Sequence, residues 1–169
     1  MSQAYLSLGS NFGNRFEFIK TAVESIHIRL GTILHISDIY ETESWSYNDN
    51  DYLNCVIEIN TELMPIKLLK ESQNIEKKLG RTTKTTINDG KSEYLARSID
   101  IDILFYSDEI VNTQNLVIPH PQLHLRKFVL KPMLQIAPDY IHPVFQEKIE
   151  TLYIRCKDES RVKLFSACP

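Results

Sequence analysis

Two aspartates in the middle of the chain, Asp100 and Asp102, have a spacing that can hold a metal ion. They alternate with apolar residues in the run I-D-I-D-I-L at 99–104, which is typical of a β-strand with one buried face. On such a strand the two carboxylates share one face, while the isoleucines and Phe105 face a core. Adjacent carboxylates disfavour each other's ionisation unless a cation is near, and Mg²⁺ accepts such oxygen ligands while contacting substrate phosphates. A solvated edge strand has the same pattern, so both interpretations stay open at this point.

The elements that must position these carboxylates follow from the periodicity of the apolar residues. Runs rich in β-branched and aromatic residues predict strands at 4–8, 33–42, 52–63, 98–106 and 162–165. Apolar residues at three- and four-residue steps predict helices near 14–30, 65–79, 127–136 and 146–155. A small hairpin is expected near Ser107 and Asp108.

The order of the main elements is strand, helix, two strands, helix, strand, which is that of a ferredoxin-like βαββαβ sandwich. In this α+β class, an antiparallel sheet carries helices on one face and leaves the other face to substrate loops. The 169 residues suit a single domain, which we place at 1–169.

Composition narrows the class of partner. The formal net charge of −3 argues against a general nucleic-acid binder or a protein bound to anionic membranes. The chain has only three cysteines, at positions 55, 156 and 168, and their odd number and distant spacing fit a reducing compartment better than a disulfide framework. The first residues lack a signal-peptide pattern, and no apolar run approaches the roughly 20 residues of a membrane span. We therefore expect a cytoplasmic protein, monomeric, without nucleic-acid or membrane partners.

Five segments in register resemble motifs of the 6-hydroxymethyl-7,8-dihydropterin pyrophosphokinase family. They are G-S-N at 9–11, D-Y-L-N at 51–54, I-E-K-K-L-G-R at 75–81, R-S-I-D-I-D-I-L-F at 97–105 and I-P-H-P-Q-L-H-L-R-K-F-V-L-K-P at 118–132. The resemblance covers roughly residues 4–145 and implies a ferredoxin-like fold. It also implies transfer of pyrophosphate from ATP to the hydroxymethyl oxygen of the reduced pterin, with release of AMP, as a step of folate biosynthesis. With this resemblance, the metal interpretation of the two aspartates is favoured.

The resemblance assigns the nucleotide side of the reaction. It implies that Asp100 and Asp102 hold two Mg²⁺ ions, one between the ATP phosphates and one between the hydroxymethyl oxygen and the phosphate chain, and that Arg81 and Arg97 complete the catalytic set. Guanidinium groups suit phosphate oxygens because they can donate two parallel hydrogen bonds. The residues implied to bind ATP are Gln73, Glu76, Arg81, Arg97, Ile99, His120 and Arg126. Taken without the resemblance, His120 fits a turn between prolines, and Gln73 and Glu76 fit an ordinary wet helix surface.

The resemblance also assigns the pterin side. A flat heteroaromatic ring needs aromatic faces above and below it and hydrogen-bonding groups around its rim. The faces fall on Tyr52 and Phe128, which could equally be core aromatics, and the rim falls on Asn54, whose carboxamide both donates and accepts. The remaining residues implied to border the pterin are Gly9, Thr42, Glu43, Trp45 and Tyr94.

The loop at 82–96 departs from the family pattern. It is several residues longer than in many relatives, and Tyr94 stands where they have a tryptophan. Thr83 and Glu93 occupy places where basic residues are expected, with Lys84 and Lys91 as candidates to replace them. We expect the loop to close over both ligands and exclude water, so that deletion of residues 85–90 lowers turnover more than ATP affinity.

Two other functions compete with this interpretation. A metal-dependent nucleotide hydrolase would use Asp100 and Asp102 to activate water, but it has no use for the set formed by Tyr52, Asn54 and Phe128. A non-catalytic ferredoxin-like binding module would need no paired carboxylates, and its ligand affinity would survive removal of Asp100.

Overall fold

The computed structural model describes residues 1–43, 50–80 and 98–167 in full and only the backbone at 87–88 and 91–92. The strands are β1 (Ser2–Ser10), β2 (Thr32–Ile36), β3 (Ile39–Thr42), β4 (Tyr52–Thr61), β5 (Ile87–Asn88), β6 (Lys91–Ser92), β7 (Asp100–Tyr106), β8 (Val111–Asn112), β9 (Val117–Ile118) and β10 (Val162–Ser166). The helices are α1 (Arg15–Arg29), α2 (Pro65–Lys78), α3 (Lys127–Ile136) and α4 (Ile149–Arg155), with a 3₁₀ turn at Leu123–Leu125. The four predicted helices and the predicted closing strand are all present.

A six-stranded antiparallel sheet forms the centre of the fold. Its order is β10, β3, β4, β1 and β7, and β2 pairs with β4 beside β3. The strands that flank α1 therefore alternate along the sheet with the strands that flank α2. This is the arrangement of the ferredoxin-like class, and the prediction of that class is confirmed. Two short hairpins, β5 with β6 and β8 with β9, lie outside this sheet.

The strand predicted at 33–42 is in fact two strands, β2 and β3, separated at Ser37 and Asp38. The Ser37 hydroxyl accepts a hydrogen bond from Val56 N at 2.9 Å and donates one to Asp38 O at 2.8 Å. The Ser37 backbone N–H still donates to Val56 O at 2.9 Å. A side-chain hydroxyl thus replaces one ladder acceptor, and the chain bends while both halves stay paired with β4.

One face of the sheet is covered by α1 and α2. The apolar stripe of α1, which includes Ile19 and Ile26, packs with Leu68 and Ile75 of α2 on the alternate residues of β1, β4 and β7. We call this cluster the first core. Asn14 caps α1, and its side chain accepts from Glu17 N at 3.3 Å.

Gly31 lies in the short connection between α1 and β2. A Cβ atom at this position would lie 2.2 Å from Asn60 O, so only glycine allows the backbones to approach this closely.

The opposite face carries α3 and α4, which pack on Tyr5, Val56 and Phe105 and form the second core with them. This face is therefore open to loops only in part, at the end where Asp100 and Asp102 lie. The register of β1 with β7 shifts between Tyr5 and Leu6 and leaves Leu104 without a partner residue. Because of this bulge, Leu104 and Phe105 both enter the second core, so the prediction that Phe105 shares a face with the isoleucines is wrong. Ile99, Ile101 and Ile103 do face the first core, as predicted.

One local expectation after β7 is wrong. The predicted hairpin at Ser107 and Asp108 is a turn, in which Glu109 N donates to Tyr106 O at 3.1 Å. The hairpin is formed instead by β8 and β9, with Thr113 N donating to Leu116 O at 2.9 Å.

Among the described residues, no helix combines the length and the apolar character that a membrane span requires.

Candidate active site

The strand register brings the predicted site residues of three strands into one row. Gly9 on β1 lies opposite Asp100 on β7 and opposite Asn54 on β4. Two residues before Gly9 on the same strand, Ser7 lies opposite Asp102. Asp100 is half-buried and Asp102 is exposed. The two carboxylates and the carboxamide are thus on the face opposite α1 and α2, as the alternation predicts.

Glu76 fastens the strand that carries the two aspartates. Its Oε1 accepts a hydrogen bond from Ile101 N at 2.8 Å, and its side chain is only 4% exposed. Because β7 is the last strand of the sheet, its outward N–H groups need partners other than a neighbouring strand. The alternative of a wet helix surface is therefore wrong for Glu76, whereas Gln73, one turn earlier on α2, is exposed.

Asn54 is held in place beside Gly9. Its Nδ2 donates to Thr42 Oγ1 at 2.9 Å, and both side chains are buried, with 3% and 5% exposed. A Cβ atom on Gly9 would lie 3.2 Å from Asn54 Oδ1 and 3.9 Å from Tyr52 Cδ1. The bare backbone of Gly9 therefore makes room for the carboxamide and for the Tyr52 ring. Glu43, directly after β3, is exposed.

Phe128 and Arg126 lie at the start of α3. Arg126 is the N-cap residue, and its Cζ lies 5.8 Å from the centroid of the Phe128 ring, within the range of a cation–π contact. Arg126 Nη2 also donates to Gln122 Oε1. Both Arg126 and Phe128 are half-buried, and Phe128 packs against the second core.

His120 links the strand of the aspartates to the start of α3. It follows the cis Ile118–Pro119 bond, and its backbone N–H donates to Leu104 O at 2.9 Å. The pKa of His120 is lowered, mainly because burial disfavours the charged form; the charge of Asp102 opposes this effect and that of Arg126 adds to it. The imidazole therefore lies in the electrostatic field of both groups.

The remaining predicted residues divide into two groups. The side chain of Ile99 is fully buried in the first core, so a contact with ATP at this residue would use its backbone. Four predicted site residues, and with them the proposed lid at 82–96, lie outside the residues whose side chains the structure describes: Arg81, Arg97, Trp45 and Tyr94.

Two residues beside the site were not singled out from the sequence. Ser7 is buried next to Asp102, a position that follows from strand alternation once Gly9 is placed on the same face. Arg15 Nη1 donates to Asp51 O at 2.6 Å and to Glu41 Oε1 at 2.9 Å, and it thereby holds the residue before Tyr52. No sequence pattern connects Arg15 with residue 51.

Asp100 and Asp102 fit a magnesium site of a particular kind. Among the described residues, no group of three or more His, Cys, Asp or Glu side chains is arranged to hold a metal ion. Mg²⁺ in phosphate-transferring enzymes is commonly held by one or two carboxylates together with substrate phosphates and water. Two carboxylates on the open end of a sheet face have that donor chemistry.

Comparison with known proteins gives the same family from several directions. The family model for 7,8-dihydro-6-hydroxymethylpterin-pyrophosphokinase matches residues 5–138. A 2-amino-4-hydroxy-6-hydroxymethyldihydropteridine pyrophosphokinase of Aquifex aeolicus is 37% identical over 166 residues, which cover 98% of this chain and 96% of that protein. The Porphyromonas gingivalis protein of the same name is 42% identical over 145 residues, 85% of this chain and 95% of that one.

Longer proteins contain a similar region. The folic acid synthesis protein fol1 of Pneumocystis carinii is 41% identical over 155 residues, which cover 91% of this chain and 20% of that protein. A Plasmodium falciparum HPPK-DHPS chain solved with pteroate has a TM-score of 0.74 at 18% identity, covering 91% of this chain. The present chain spans less than half of that solved chain, 42%, and the likeness supports the fold.

Proposed function

The chain belongs to the 7,8-dihydro-6-hydroxymethylpterin-pyrophosphokinase family, and from this premise we propose that the open end of its sheet carries out the family's reaction. The protein is an ATP-dependent pyrophosphokinase that transfers pyrophosphate from ATP to 6-hydroxymethyl-7,8-dihydropterin in folate biosynthesis. ATP is the co-substrate. The transferred group leaves AMP when the hydroxymethyl oxygen attacks the β-phosphorus.

One observation carries the assignment of the site. Gly9 is paired on one side with Asp100 and on the other with Asn54. Since neighbouring strands lie about 4.8 Å apart, the backbone positions of Asp100 and Asn54 are about 10 Å apart, and both side chains lie on one face. A single small molecule can therefore contact Asn54 with its ring edge and extend its hydroxymethyl group toward the aspartates.

On the nucleotide side, we assign Asp100 and Asp102 to two Mg²⁺ ions. Bound there, Mg²⁺ would neutralise the charge of the phosphate oxygens and lower the pKa of the attacking hydroxyl group. Glu76 keeps both aspartates in register by its hydrogen bond to Ile101 N between them. Transfer of this kind depends on alignment and charge neutralisation, because there is little covalent chemistry for the protein to perform.

Cationic and polar side chains complete the phosphate site. Arg126 presents a planar guanidinium group, and His120, in the field of Asp102 and Arg126, supplies a ring nitrogen for a phosphate oxygen. The further ATP contacts that we propose are those of Gln73, Glu76, Ile99, Arg81 and Arg97.

On the pterin side, Asn54 reads the ring edge while Thr42 holds its carboxamide in one orientation. Tyr52 and Phe128 supply the aromatic faces, and Gly9 leaves the space between the ring and the strand. Glu43, Trp45 and Tyr94 complete the proposed border. A nucleotide hydrolase would not need the buried pair formed by Asn54 and Thr42, and this observation favours the pyrophosphokinase over that alternative.

The proposal also covers domain organisation, oligomeric state, localisation and a lid. We propose that residues 1–169 work as one catalytic domain, active as a monomer in the cytoplasm, with a lid formed by residues 82–96. Small-molecule substrates are the partners that this function requires. The lid proposal is supported by the need to keep water from activated ATP.

Calorimetric titration tests the site assignment most simply. The wild type, Asn54→Ala, Asp102→Asn and Asp108→Asn are each titrated with an ATP analogue that cannot be cleaved between the α- and β-phosphorus, with and without Mg²⁺. Each is then titrated with the pterin in the presence of Mg²⁺ and that analogue. Asp108 is an exposed aspartate just beyond β7 and serves as the matched control. We expect Asn54→Ala to lose pterin affinity and Asp102→Asn to lose Mg²⁺-dependent nucleotide affinity, while Asp108→Asn keeps both. Equal behaviour of the three variants would refute the assignment.

A further inference from the structure

The N-terminus of α3, which presents Arg126 and Phe128, carries positive charges where a helix favours negative ones. The first turn holds no acidic residue, whereas Arg126 and Lys127 place two positive charges there. The N-terminal end of a helix dipole favours negative charge, so these two cations destabilise the turn. Arg126, the N-cap residue, also makes no side-chain hydrogen bond to the helix. The start of α3 therefore needs an acceptor from elsewhere.

That acceptor comes from the C-terminal segment. Asp158 Oδ2 accepts a hydrogen bond from Lys127 N at 2.8 Å, and Asp158 Oδ1 accepts one from Ser160 N at 2.9 Å. Burial alone would raise the pKa of Asp158, but the hydrogen bonds from Ser160 and Lys127 outweigh burial and lower it. The charged carboxylate thus sits at the positive end of α3, where it satisfies an N–H group and offsets the two cations.

The helices α3 and α4 also pack together in the second core. At the surface, a partly open pocket of about 510 Å³ lies between the 3₁₀ turn before α3 and the end of α4. It is lined by His124, Leu125, Leu152 and residues 155–158. Besides this packing, the Asp158 hydrogen bond is a directed contact between the segment after α4 and the first residue of α3.

We propose that Asp158 is a positioning residue for the pyrophosphokinase reaction, which it serves by capping α3 and so fixing Arg126 and Phe128 in the site. This inference rests on the proposed function. It gives a role to the segment beyond residues 5–138, the part that matches the family model. Residues of the first turn that bind ligand are free to be cationic because the acidic cap is supplied from another element.

The expected consequence concerns ligand binding more than folding. The Arg126 guanidinium and the Phe128 ring lie 5.8 Å apart and belong to the same turn, so fraying of that turn displaces both groups together. A frayed turn must be ordered again when the pterin binds, and the free energy of that ordering is subtracted from the affinity.

The test compares variants of the full-length protein that separate capping from charge and from general stability. Asp158→Ala removes the cap, whereas Asp158→Asn removes the charge and keeps one of the two acceptor oxygens. Glu159→Gln removes the neighbouring exposed charge, and Ile26→Val weakens the first core far from α3. Each variant is examined by titration with the pterin and the uncleavable ATP analogue, by hydrogen exchange at residues 127–130, and by thermal melting.

We expect Asp158→Ala to bind the pterin between about threefold and thirtyfold more weakly, the range that one helix cap can supply, with faster exchange at 128–130. Asp158→Asn should lose less affinity than Asp158→Ala, because it keeps one acceptor oxygen but not the charge. Glu159→Gln and Ile26→Val should bind like the wild type. If Asp158→Ala does not fold, Asp158→Ser, whose shorter side chain lengthens the hydrogen bond, takes its place.

Three results would overturn the inference. They are unchanged pterin affinity in Asp158→Ala, an equal loss in Ile26→Val, and a loss in Asp158→Asn as large as that in Asp158→Ala. A wild-type protein that binds neither ligand would instead overturn the proposed function, and the inference with it.

Discussion

The two faces of the central sheet are built on different rules. The face under α1 and α2 is aliphatic along almost its whole length, and within the described parts of the chain Tyr106 is the one aromatic residue among the buried members of that core. The opposite face changes character along the strands, from Asp100, Gly9 and Asn54 at one end to Tyr5 and Phe105 at the other, where the Tyr140 ring packs on both. It also buries the carboxylate of Glu58, which contacts Gln3 and His35.

In the proposed function, this difference separates the residues that stabilise the fold from the residues that bind the ligands. An aliphatic core tolerates substitutions of similar volume, because its stabilisation depends on buried area and packing. A face made of directed polar contacts depends on individual atoms, and a single displaced group matters. The comparison predicts that variants of the two faces have distinct signatures, stability for one and binding or turnover for the other.

The largest effect should follow from Asp100→Ala. Because we assign this carboxylate to Mg²⁺, its loss should remove preorganised charge stabilisation, and we expect turnover to fall by about a thousandfold while the melting curve stays cooperative. Steady-state kinetics and thermal melting measure the two quantities, with Asp108→Ala as the control. An insoluble or unfolded Asp100→Ala protein would indicate that this end of the face is structural.

Glu76→Ala should affect both faces, because Glu76 reaches from α2 to the strand of the aspartates. It leaves the buried Ile101 N–H without its acceptor, which costs about 1–3 kcal/mol in the free energy of unfolding, and it loosens Asp100 and Asp102. Chemical denaturation and a Mg²⁺ titration of turnover give the two effects. Glu76→Gln, which keeps an acceptor oxygen, should recover most of the stability, and Lys77→Ala on the exposed side of α2 should show neither effect.

Gly9→Ala should act on the pterin and hardly on ATP. The added methyl group would lie 3.2 Å from Asn54 Oδ1, so the carboxamide must move by a few tenths of an ångström. We expect KM for the pterin to rise about tenfold, equivalent to about 1.4 kcal/mol, with a smaller change in KM for ATP. Equal changes in the two constants would contradict the placement of Gly9 on the pterin side.

The smallest effect concerns pH and the aromatic end of the second face. Burial, with a smaller contribution from the charge of His124, lowers the pKa of His142 from its ordinary 6.5 to about 4. Its Nδ1 accepts from Val144 N at 3.2 Å and from Phe145 N at 3.3 Å, which requires the unprotonated atom. Between pH 6.5 and about 4 the unfolded chain binds this proton and the folded chain does not, so stability falls as pH falls through that window.

The measurement for His142 is the melting temperature at several pH values between 7 and 4. His142→Asn, whose side-chain oxygen can accept from the same N–H groups, should show a shallower decline than the wild type. Identical slopes would mean that other groups account for the acid sensitivity.

The first face could be predicted from sequence because one period and one apolar stripe describe each of its elements. The predictions for α1, α2 and the inward isoleucines of β7 are confirmed for this reason. The misses lie where a side chain replaces a backbone partner or where both faces are apolar. Ser37 interrupts a strand by supplying a hydroxyl acceptor, and the bulge at Leu104 leaves no trace in a run of apolar residues.

Contacts between distant segments were also beyond the sequence patterns. Glu76 looks like any surface carboxylate on a helix, and its burial depends on β7 lying beside α2. Asp158 looks like a loop residue, and its role depends on the position of Lys127, 31 residues earlier. The residues around the pterin and the phosphates were named through a family resemblance, and their roles stay predictions.

Product analysis by phosphorus NMR tests the central claim most directly. Purified protein is incubated with ATP, Mg²⁺ and 6-hydroxymethyl-7,8-dihydropterin, beside a sample without the pterin and a sample of Asp100→Ala. We expect AMP and the pterin pyrophosphate in equal amounts, only in the wild-type sample that contains both substrates. ADP or free phosphate as the product, or ATP cleavage without the pterin, would contradict the proposed site and favour a nucleotide hydrolase.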